Sequence, residues 1–474
     1  MSRFIRGHIM LTHTNSVANL LRGIGERVLY TNASLGLPVT PAFSHVFSKR
    51  CGSFLKTIAK GIGRQTPVTR QEFVEYYKGP RRTFYQNAVD RLARKAVCPR
   101  DSHLKTFVKA EKINFTVKPD PAPRVIQPRG GEFNVEVGRY LRKIEHKIYD
   151  EIDSLYQSPT IFSKYNSQQQ AALLRDKWDS FQSPVCVGID ASRFDQHCSV
   201  EALQFEHSLY DMIYNSKELR TLLSWQLTNH GHAKASDGSV RYFKKGSRMS
   251  GDMNTSMGNK LLMCLMALYY IKRKPFKIAF VNNGDDCLLI LEKSNLRFLG
   301  DLESKFSDFG YKMVRETPVY EFEQIEFCQT KPLKTVNGWI MVRNVMTCLS
   351  KDVTCVTLGH DDQAYRVWLK KIGECGSVLN KGVPIMQNFY RMLDRFGLEG
   401  KLSTGSQFNC EYSWHHRMSQ GILTTNTEIT EYCRYSFWLQ TGISPDHQLE
   451  VERYFDESAW GGDKRQFINN LGLF

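Results

Sequence analysis

Residues 281–290, with the sequence VNNGDDCLLI, place two adjacent acids between two apolar runs. The apolar runs favour a pair of strands, and Asn and Gly tolerate the left-handed backbone of a tight hairpin. We therefore predict a hairpin whose turn is residues 282–284, with Asp285 and Asp286 held at its tip. Paired carboxylates repel each other unless a hard cation such as Mg²⁺ lies between them, so the tip is a candidate metal site. A solvated acidic turn is the alternative.

The composition is that of a large, basic, folded protein. At 474 residues and 41% hydrophobic content, the chain can form two or three subdomains. Its 64 Lys and Arg exceed its 48 Asp and Glu, and the net charge of +16 favours nucleic acid or an acidic membrane surface as partner. Twelve cysteines without a Cys-x-x-Cys pair predict reduced thiols, and a zinc site at Cys410, His415 and His416 would lack a second ligand pair. The longest apolar run, residues 261–271, is about half of a membrane-spanning helix.

A basic segment, residues 105–129, has two β-rich pieces on either side of a Pro-Asp-Pro turn. Its cations include Lys109, Lys112, Lys118, Arg124 and Arg129. On an extended ribbon such cations can converge on a triphosphate, because Arg offers a bidentate fork and Lys a point charge. A merely basic surface hairpin is the alternative.

A further acid follows an apolar strand, residues 185–189, which leads directly into Asp190. A strand that ends in an acid places the carboxylate at the edge of a sheet, and Asp195 follows where a helix can begin over the same edge. Asp190 can therefore meet the hairpin of Asp285. About 95 residues separate them, so this meeting is an inference from the fold.

A small polar loop precedes an apolar helix at residues 250–259, SGDMNTSMGN. Thr255 and Asn259 stand four apart, hence on one helical face if the helix begins early, and both can hydrogen-bond a hydroxyl. Ordinary N-capping by Ser250 or Thr255 is the alternative.

The remaining pattern predicts helices and short strands around these segments. Helices are predicted over residues 83–96, 140–156, 168–178, 296–309, 361–373, 386–396 and 426–441, and short strands over residues 311–314, 326–329 and 338–342. From about residue 349 onward the pattern is mainly helical.

Taken in order, the basic ribbon, the DxxxxD strand end, the SGxxxTxxxN loop and the GDD hairpin resemble the viral RNA-dependent RNA polymerases. Four stretches resemble the tombusvirus and carmovirus type of the Tombusviridae: FVKAEK at 107–112, PRVIQPR at 123–129, SGDMNTSMGN at 250–259 and EFCQ at 326–329. The resemblance implies an α+β fold in the form of a right hand, with fingers, a palm of antiparallel strands backed by helices, and a mainly helical thumb. The implied divisions are 1–185 for the N-terminal region and fingers with the basic hairpin 105–129, 186–202 for palm, 203–245 for fingers, 246–345 for palm, and 346–474 for the thumb and C-terminal region.

The resemblance also implies roles for residues of this chain. Asp190, Asp285 and Asp286 match the catalytic, metal-binding acids, and Lys312 lies where such enzymes often have a proton donor to pyrophosphate. The implied nucleotide-binding residues are Lys112, Lys118, Arg124, Asp195, Ser250, Gly251, Thr255 and Asn259. Asp195 and Asn259 suit recognition of a ribose hydroxyl.

The function implied is template-directed RNA synthesis from ribonucleoside triphosphates by two Mg²⁺ ions, with Mn²⁺ as a substitute, initiated without a primer, in replication of the positive-strand RNA genome of a plant virus. Expected partners are template and product RNA, a viral auxiliary replication protein and host factors. Localisation is expected in the host cytoplasm at membrane-bound replication complexes, through such partners or a missing N-terminal extension. A reverse transcriptase and a non-catalytic basic RNA-binding protein are the rival interpretations.

Overall fold

The computed structural model describes residues 10–32, 37–38, 45–355, 361–400 and 427–460. Its strands, numbered β1 to β14, are Met10–Leu11, Tyr30–Asn32, Leu37–Pro38, Leu104–Val108, Ile113–Asn114, Val125–Ile126, Pro184–Ala191, Thr228–Ala235, Gly238–Lys245, Ile278–Asn283, Asp286–Glu292, Met313–Arg315, Thr330–Thr335 and Gly338–Arg343. Its α-helices, numbered α1 to α16, are Val17–Ile24, Val46–Ile62, Arg70–Glu75, Gly79–Leu92, Gly131–Tyr156, Ser167–Asp179, Phe194–His197, Val200–Tyr214, Lys217–Ser224, Thr255–Ile271, Leu302–Ser307, Val345–Lys351, Asp362–Leu379, Met386–Phe396, Glu431–Thr441 and Pro445–Glu457.

Four antiparallel strands in the order β10-β11-β7-β12 form the central sheet. One face of the sheet, with Val187, Ile189 and Leu289, packs in a large hydrophobic cluster with α2, α5, α8 and α10. The other face, with Cys186 and Leu288, packs in a second cluster with α6. Because both faces are covered, these strands have continuous apolar sequences rather than alternating ones.

Helix α10 connects the polar loop to the core. Its residues 257–268 are all buried, and its Leu, Met and Ala content favours a helix. The helix begins at Thr255, which confirms the early start and places Thr255 and Asn259 on one face. Asn254 precedes the helix and makes no side-chain cap, so capping by Ser250 or Thr255 is not the arrangement found.

A second sheet contains the basic segment, in the order β6-β4-β8-β9. Strands β4 and β6 pair antiparallel, with Phe107 opposite Ile126, which confirms the predicted ribbon. Strand β4 also pairs in parallel with β8. The ribbon is therefore part of a larger sheet and not an isolated surface hairpin.

The C-terminal part is mainly helical, as predicted. The β13–β14 hairpin and helices α12 to α16 surround a separate hydrophobic cluster that includes Trp368 and Phe389. The α+β fold class is confirmed by this mixture of helices and sheets. The suggested zinc residues Cys410, His415 and His416 lie outside the described residues. No helix in the described ranges is both long and apolar enough to span a bilayer.

Two local predictions were wrong in position. The turn of the acidic hairpin is Gly284 and Asp285 rather than residues 282–284, because Asn282 is buried and pairs with Cys287 in the β10–β11 ladder. The strand predicted at residues 326–329 is instead a turn that leads into β13.

The helix predicted over residues 296–309 is divided into a 3₁₀ helix, Lys293–Leu299, and α11. Asp301 lies at the break, where its carboxylate accepts hydrogen bonds from Tyr270 Oη at 2.8 Å and from Lys274 Nζ at 2.7 Å. These contacts with the end of α10 hold the interruption in place.

Candidate active site

A cavity of about 920 Å³ lies at the end of β7, beside the tip of the β10–β11 hairpin. The predicted site residues that line it are Lys118, Arg124, Asp190, Asp195, Ser250, Gly251, Thr255, Asn259 and Asp285. The fold thus brings together residues from four separate stretches of the sequence.

Strand pairing fixes the acids at this cavity. Asp190 lies opposite Asp286 in the β7–β11 ladder, and Asp285 follows Gly284 in the two-residue turn. Gly284 has a φ of +85°. The first position of a two-residue hairpin turn favours a positive φ, which glycine adopts readily. The Asn282 side chain donates to the Gly284 carbonyl at 2.7 Å and accepts from its N–H at 3.1 Å. A buried amide therefore holds the hairpin tip.

Burial and the neighbouring negative charge raise the pKa of Asp190 and of Asp286. Burial, and then the charge of Asp285, raise the pKa of Asp190. Burial raises the pKa of Asp286 to about 6, although the Cys328 N–H donates to its carboxylate at 2.8 Å. The site therefore concentrates negative charge that a bound cation would stabilise.

Asp190 and Asp285 fit a magnesium site that uses one or two protein carboxylates and completes its coordination with substrate phosphates. Both line the cavity, whereas Asp286 is not among the lining residues. In the ranges that the structure describes, no group of three or more His, Cys, Asp or Glu is arranged to hold a metal ion by itself. The donor set suits a metal ion shared with substrate better than one enclosed by the protein.

The Cys328 turn was not recognised from the sequence as a support for the acids. Cys328 and Gln329 have φ values of 51° and 61°, both left-handed. This turn directs the Cys328 N–H to Asp286, and Asn283 Nδ2 donates to Cys328 Sγ at 3.1 Å. The turn thus holds Asp286, the second acid of the hairpin, in position.

Asp195 and Asn259 meet in a chain of polar contacts. Asn259 Nδ2 donates to Asp195 Oδ1 at 2.7 Å, and Arg248 Nε donates to Asn259 Oδ1 at 3.1 Å. Burial raises the pKa of Asp195 to about 6, opposed by the Asn259 hydrogen bond and the charge of Arg248. Arg248 in turn forms a salt bridge with Glu206. The sequence predicted roles for Asp195 and Asn259, whereas it did not single out Arg248 or Glu206.

A backbone hydrogen bond joins the polar loop to the basic ribbon. Gln127 N donates to Ser250 O at 2.7 Å, and Gly251 has a φ of +131°. A Cβ on Gly251 would lie 3.1 Å from the backbone of Gln127 and Pro128, so a side chain has little room there. Thr255 Oγ1 donates to the Met249 carbonyl at 3.0 Å, which braces the other end of the loop.

The buried ion pair of Arg129 and Asp252 also stabilises the contact between the polar loop and the basic ribbon. Arg129 Nε donates to Asp252 Oδ1 at 2.5 Å, and its Nη2 donates to Asn229 Oδ1 at 2.7 Å. Their side chains are 1% and 3% exposed, so Arg129 serves the loop and not a ligand in the cavity.

Cations gather on the wall that Lys118 and Arg124 help to form. Arg27 and Arg193 also line the cavity. Burial, and then the charges of Arg124 and Arg193, lower the pKa of Arg27. Neither Arg27 nor Arg193 was predicted; Arg193 lies inside the DxxxxD segment, which was a usable signal, whereas Arg27 had none. This wall can bind a strongly anionic group.

A further wall combines aromatic rings and cations from α4, α5 and the segment after α3. It includes Tyr77, Arg81, Tyr85 and Arg142. The rings of Tyr77 and Tyr85 lie 4.6 Å apart, and the Arg81 guanidinium is 5.9 Å from the Tyr77 ring centre. Aromatic rings with neighbouring cations are the side chains that bind single-stranded nucleic acid.

Two predicted residues lie away from the cavity lining. The ammonium of Lys112 donates to the backbone carbonyls of Lys351 and Thr354 at 2.7 and 2.8 Å and lies 5.4 Å from the Trp368 ring centre. Lys312 is exposed, and its carbonyl accepts from Ser192 N at 2.9 Å. The structure does not bring either ammonium to the acids.

Comparisons with known proteins point the same way. A family model described as viral RNA dependent RNA polymerase matches residues 1–460. The chain is 43% identical over 456 residues to the RNA-directed RNA polymerase of Tobacco necrosis virus (strain A), covering 95% of this chain and 63% of that protein. It is 42% identical over 448 residues to the RNA-directed RNA polymerase of Turnip crinkle virus, covering 94% of this chain and 57% of that protein. It is also 42% identical over 448 residues to the RNA-directed RNA polymerase of Maize chlorotic mottle virus (isolate United States/Kansas/1987). This match covers 94% of this chain and 46% of that protein.

The acids on paired strands, the polar loop and the cations meet at one cavity, as the resemblance to the viral polymerases implied. The chain belongs to the viral RNA dependent RNA polymerase family, and its resemblance to the tombusvirus and carmovirus type is confirmed. It spans between 46% and 63% of the length of these three relatives.

Proposed function

We propose that this chain catalyses template-directed synthesis of RNA from ribonucleoside triphosphates. The cavity carries the proposal, because Asp190 and Asp285 share it with the Asp195–Asn259 pair and with a wall of cations. A ribonucleoside triphosphate has one chemical group for each of these three sets of residues. Its reacting phosphate suits the two acids, its ribose hydroxyl suits the Asp195–Asn259 pair, and its anionic tail suits the cations. The relatives, which are named RNA-directed RNA polymerases, support the same reaction.

The cationic wall would hold the triphosphate. Four cations line the cavity, and the charges of two of them, Arg124 and Arg193, act on a third, Arg27; the fourth is Lys118. Arg can hold phosphate oxygens in a bidentate manner, and Lys adds a point charge. Bringing the tail to this wall orients the reacting phosphate toward the acids, which is the positioning on which phosphoryl transfer mainly depends.

Asp190 and Asp285 would hold magnesium together with the substrate phosphates, and Asp286 would support the hairpin through its bond to the Cys328 N–H. When bound, two Mg²⁺ ions, or Mn²⁺ in their place, supply charge stabilisation at the attacking and leaving oxygens. Lys312 as proton donor to pyrophosphate remains a prediction, which requires its exposed side chain to turn toward the cavity.

Asp195 and Asn259 would recognise the ribose of the nucleotide by its 2′-hydroxyl. A carboxylate accepts a hydrogen bond from a 2′-hydroxyl, and an amide can donate or accept beside it. Deoxyribose would leave these polar groups without that partner, which is the basis of discrimination between the two sugars.

Template RNA would lie along the wall of Tyr77, Arg81 and Arg142, where the half-buried Tyr77 ring can stack on a base and the cations can contact phosphates. In this proposal the central sheet and α10 belong to the palm of a right hand, the β6-β4-β8-β9 sheet to the fingers, and α12 to α16 to the thumb. We propose initiation without a primer, and a viral auxiliary protein and host factors as partners at membrane-bound replication complexes in the host cytoplasm.

The test is incubation of the purified chain with RNA template, the four ribonucleotides and Mg²⁺. We expect RNA product from the wild-type chain and none from Asp285→Asn, with template affinity within a few-fold, since the acid serves the chemistry and the basic surface serves binding. Asp237→Asn is the matched control, because Asp237 also lies in a two-residue hairpin turn, between β8 and β9. Near wild-type addition by Asp285→Asn would exclude this site.

The same assay separates the rival interpretations. A reverse transcriptase would incorporate deoxyribonucleotides efficiently, whereas a non-catalytic RNA-binding protein would bind template without product. We expect neither result.

A further inference from the structure

Glu206 and Arg248 form an ion pair that the reaction proposed above does not use. Their side chains are both 0% exposed. Glu206 also accepts hydrogen bonds from Asn254 Nδ2 at 2.6 Å and from Tyr210 Oη at 2.7 Å. A fully buried ion pair is costly unless its remaining polar atoms are satisfied, and here Asn254 and Tyr210 supply hydrogen bonds to Glu206.

Arg248 connects this pair to the sugar-reading residues. Its Nε donates to Asn259 Oδ1 at 3.1 Å, and its backbone N–H donates to the Asp195 carbonyl at 2.8 Å. Asn259 then donates its Nδ2 to Asp195 Oδ1 at 2.7 Å. Both members of the sugar-reading pair are therefore held by one arginine.

The chemistry of the groups makes this contact directional. A primary amide can rotate by half a turn and exchange its oxygen and nitrogen, but a guanidinium has only donors. Only one orientation of Asn259 satisfies both neighbours, with its oxygen toward Arg248 and its nitrogen toward Asp195. Rotation would place an N–H₂ group against the guanidinium and an oxygen against the carboxylate.

We propose that the Glu206–Arg248 pair positions Asn259 and Asp195 for recognition of the ribose 2′-hydroxyl, and so contributes to the choice of ribonucleotides. This inference rests on the proposed function. Glu206 and Arg248 act through Asn259, so they are positioning residues.

Gly258 offers a way to displace the pair without removing a charge. It lies inside α10, and a Cβ there would be 2.5 Å from Arg248 Nη2 and from both carboxylate oxygens of Glu206. Gly258→Ala must therefore shift the ion pair. Gly52→Ala is the matched control, since Gly52 lies inside α2 and a Cβ there has no neighbour within 4 Å.

The experiment measures kcat/KM for ATP and for dATP on one RNA template. We expect Gly258→Ala to lower the ratio of ribonucleotide to deoxyribonucleotide efficiency about tenfold, toward the value for Asn259→Ala, because the polar groups that read the hydroxyl lose their alignment. Gly52→Ala should keep the wild-type ratio. An equal loss with both nucleotides and an unchanged ratio would show a purely structural role and overturn the proposal.

A second variant covers the case in which Gly258→Ala fails to fold. Glu206→Gln combined with Arg248→Met removes both charges at similar volume, which often preserves stability, and the same fall in the ratio is expected. Equilibrium binding of ATP and dATP to the RNA-bound protein requires no turnover. Absence of RNA product from the wild-type chain would overturn the proposed function, whereas equal ATP preference in the wild type and the double variant would overturn the positioning role alone.

Discussion

The ammonium group of Lys112 donates a 2.7 Å hydrogen bond to the carbonyl of Lys351, 239 residues further along the chain. A second bond to Thr354 O and the nearby Trp368 ring complete the contact. This contact ties the basic segment to the helices of the C-terminal part. It makes Lys112 a link between two parts of the fold.

Lys112→Met should therefore affect stability more than nucleotide binding. We expect the free energy of unfolding to fall by about 1 to 3 kcal/mol, since two partly buried carbonyls lose a charged donor. The KM for ribonucleotides should remain within about twofold of wild type, whereas Arg124→Met, which changes a cavity residue, should raise it about tenfold. Denaturant unfolding and steady-state kinetics measure the two effects. An equal rise of KM in both variants would show that Lys112 reaches the triphosphate.

Asp195→Asn should stabilise the protein at neutral pH. Burial holds the pKa of Asp195 at about 6, against 3.8 for the ordinary carboxyl. The folded protein thus keeps a proton that the unfolded chain has released, so stability is lost as the pH rises from about 4 through 6. Asn removes the charge, and we expect a gain of about 1 to 2 kcal/mol at pH 8 that disappears near pH 4.

Unfolding by urea at both pH values, without divalent cations, measures this effect. Asp176→Asn, at an exposed position of α6, is the control. The same gain at pH 4 and pH 8 would mean that the Asp195 carboxylate is not the source of the stability change.

Arg81→Ala combined with Arg142→Ala should weaken RNA binding in a salt-dependent way. Each phosphate contact to a single strand contributes about 0.7 to the slope of log K against log salt concentration, so the double variant should lower the slope by about 1.4. Arg220→Ala, which removes an exposed cation outside the cavity lining, is the control. A slope equal to wild type in a titration with single-stranded RNA would place the template elsewhere.

Gly251→Ala should disturb the polar loop more than its backbone strain alone predicts. Gly251 combines a φ of +131° with a close approach to Gln127 and Pro128, whereas Gly63 has a φ of +67° and open space around it. We expect Gly63→Ala to cost about 1 kcal/mol and Gly251→Ala about 2 to 3 kcal/mol, with a higher KM for ribonucleotides only in the latter. Equal costs and equal KM values would show that the loop has room to adjust.

The sequence was sufficient for the parts of the site that depend on local pattern. The hairpin of Asp285, the strand that ends at Asp190 and the four-residue spacing of Thr255 and Asn259 are all local features, and the structure places these residues as expected. The hairpin turn was misplaced because the β10–β11 ladder extends to the pair of Asn283 and Asp286, which leaves only Gly284 and Asp285 in the turn.

The supporting residues could not be predicted for the same physical reason. Glu206 binds Arg248 from 42 residues away, and Arg193 donates to the Glu26 carbonyl from 167 residues away. No periodicity or spacing indicates such partners. The burial of Glu206 in α8 shows that its charge needs a partner, but that burial is visible only in the structure.

The order of strands in the central sheet also sets the timing of its assembly on the ribosome. Strand β7 lies between β11 and β12, and both follow it in sequence. Since β7 ends at Ala191 and β11 begins at Asp286, about 95 residues must be translated between them, roughly 5 to 19 s at about 5 to 20 residues per second. During this interval β7 has neither of its neighbours, and its apolar edge is open to incorrect pairing. The first acid of the cavity is therefore synthesised several seconds before the strand that can hold it in place.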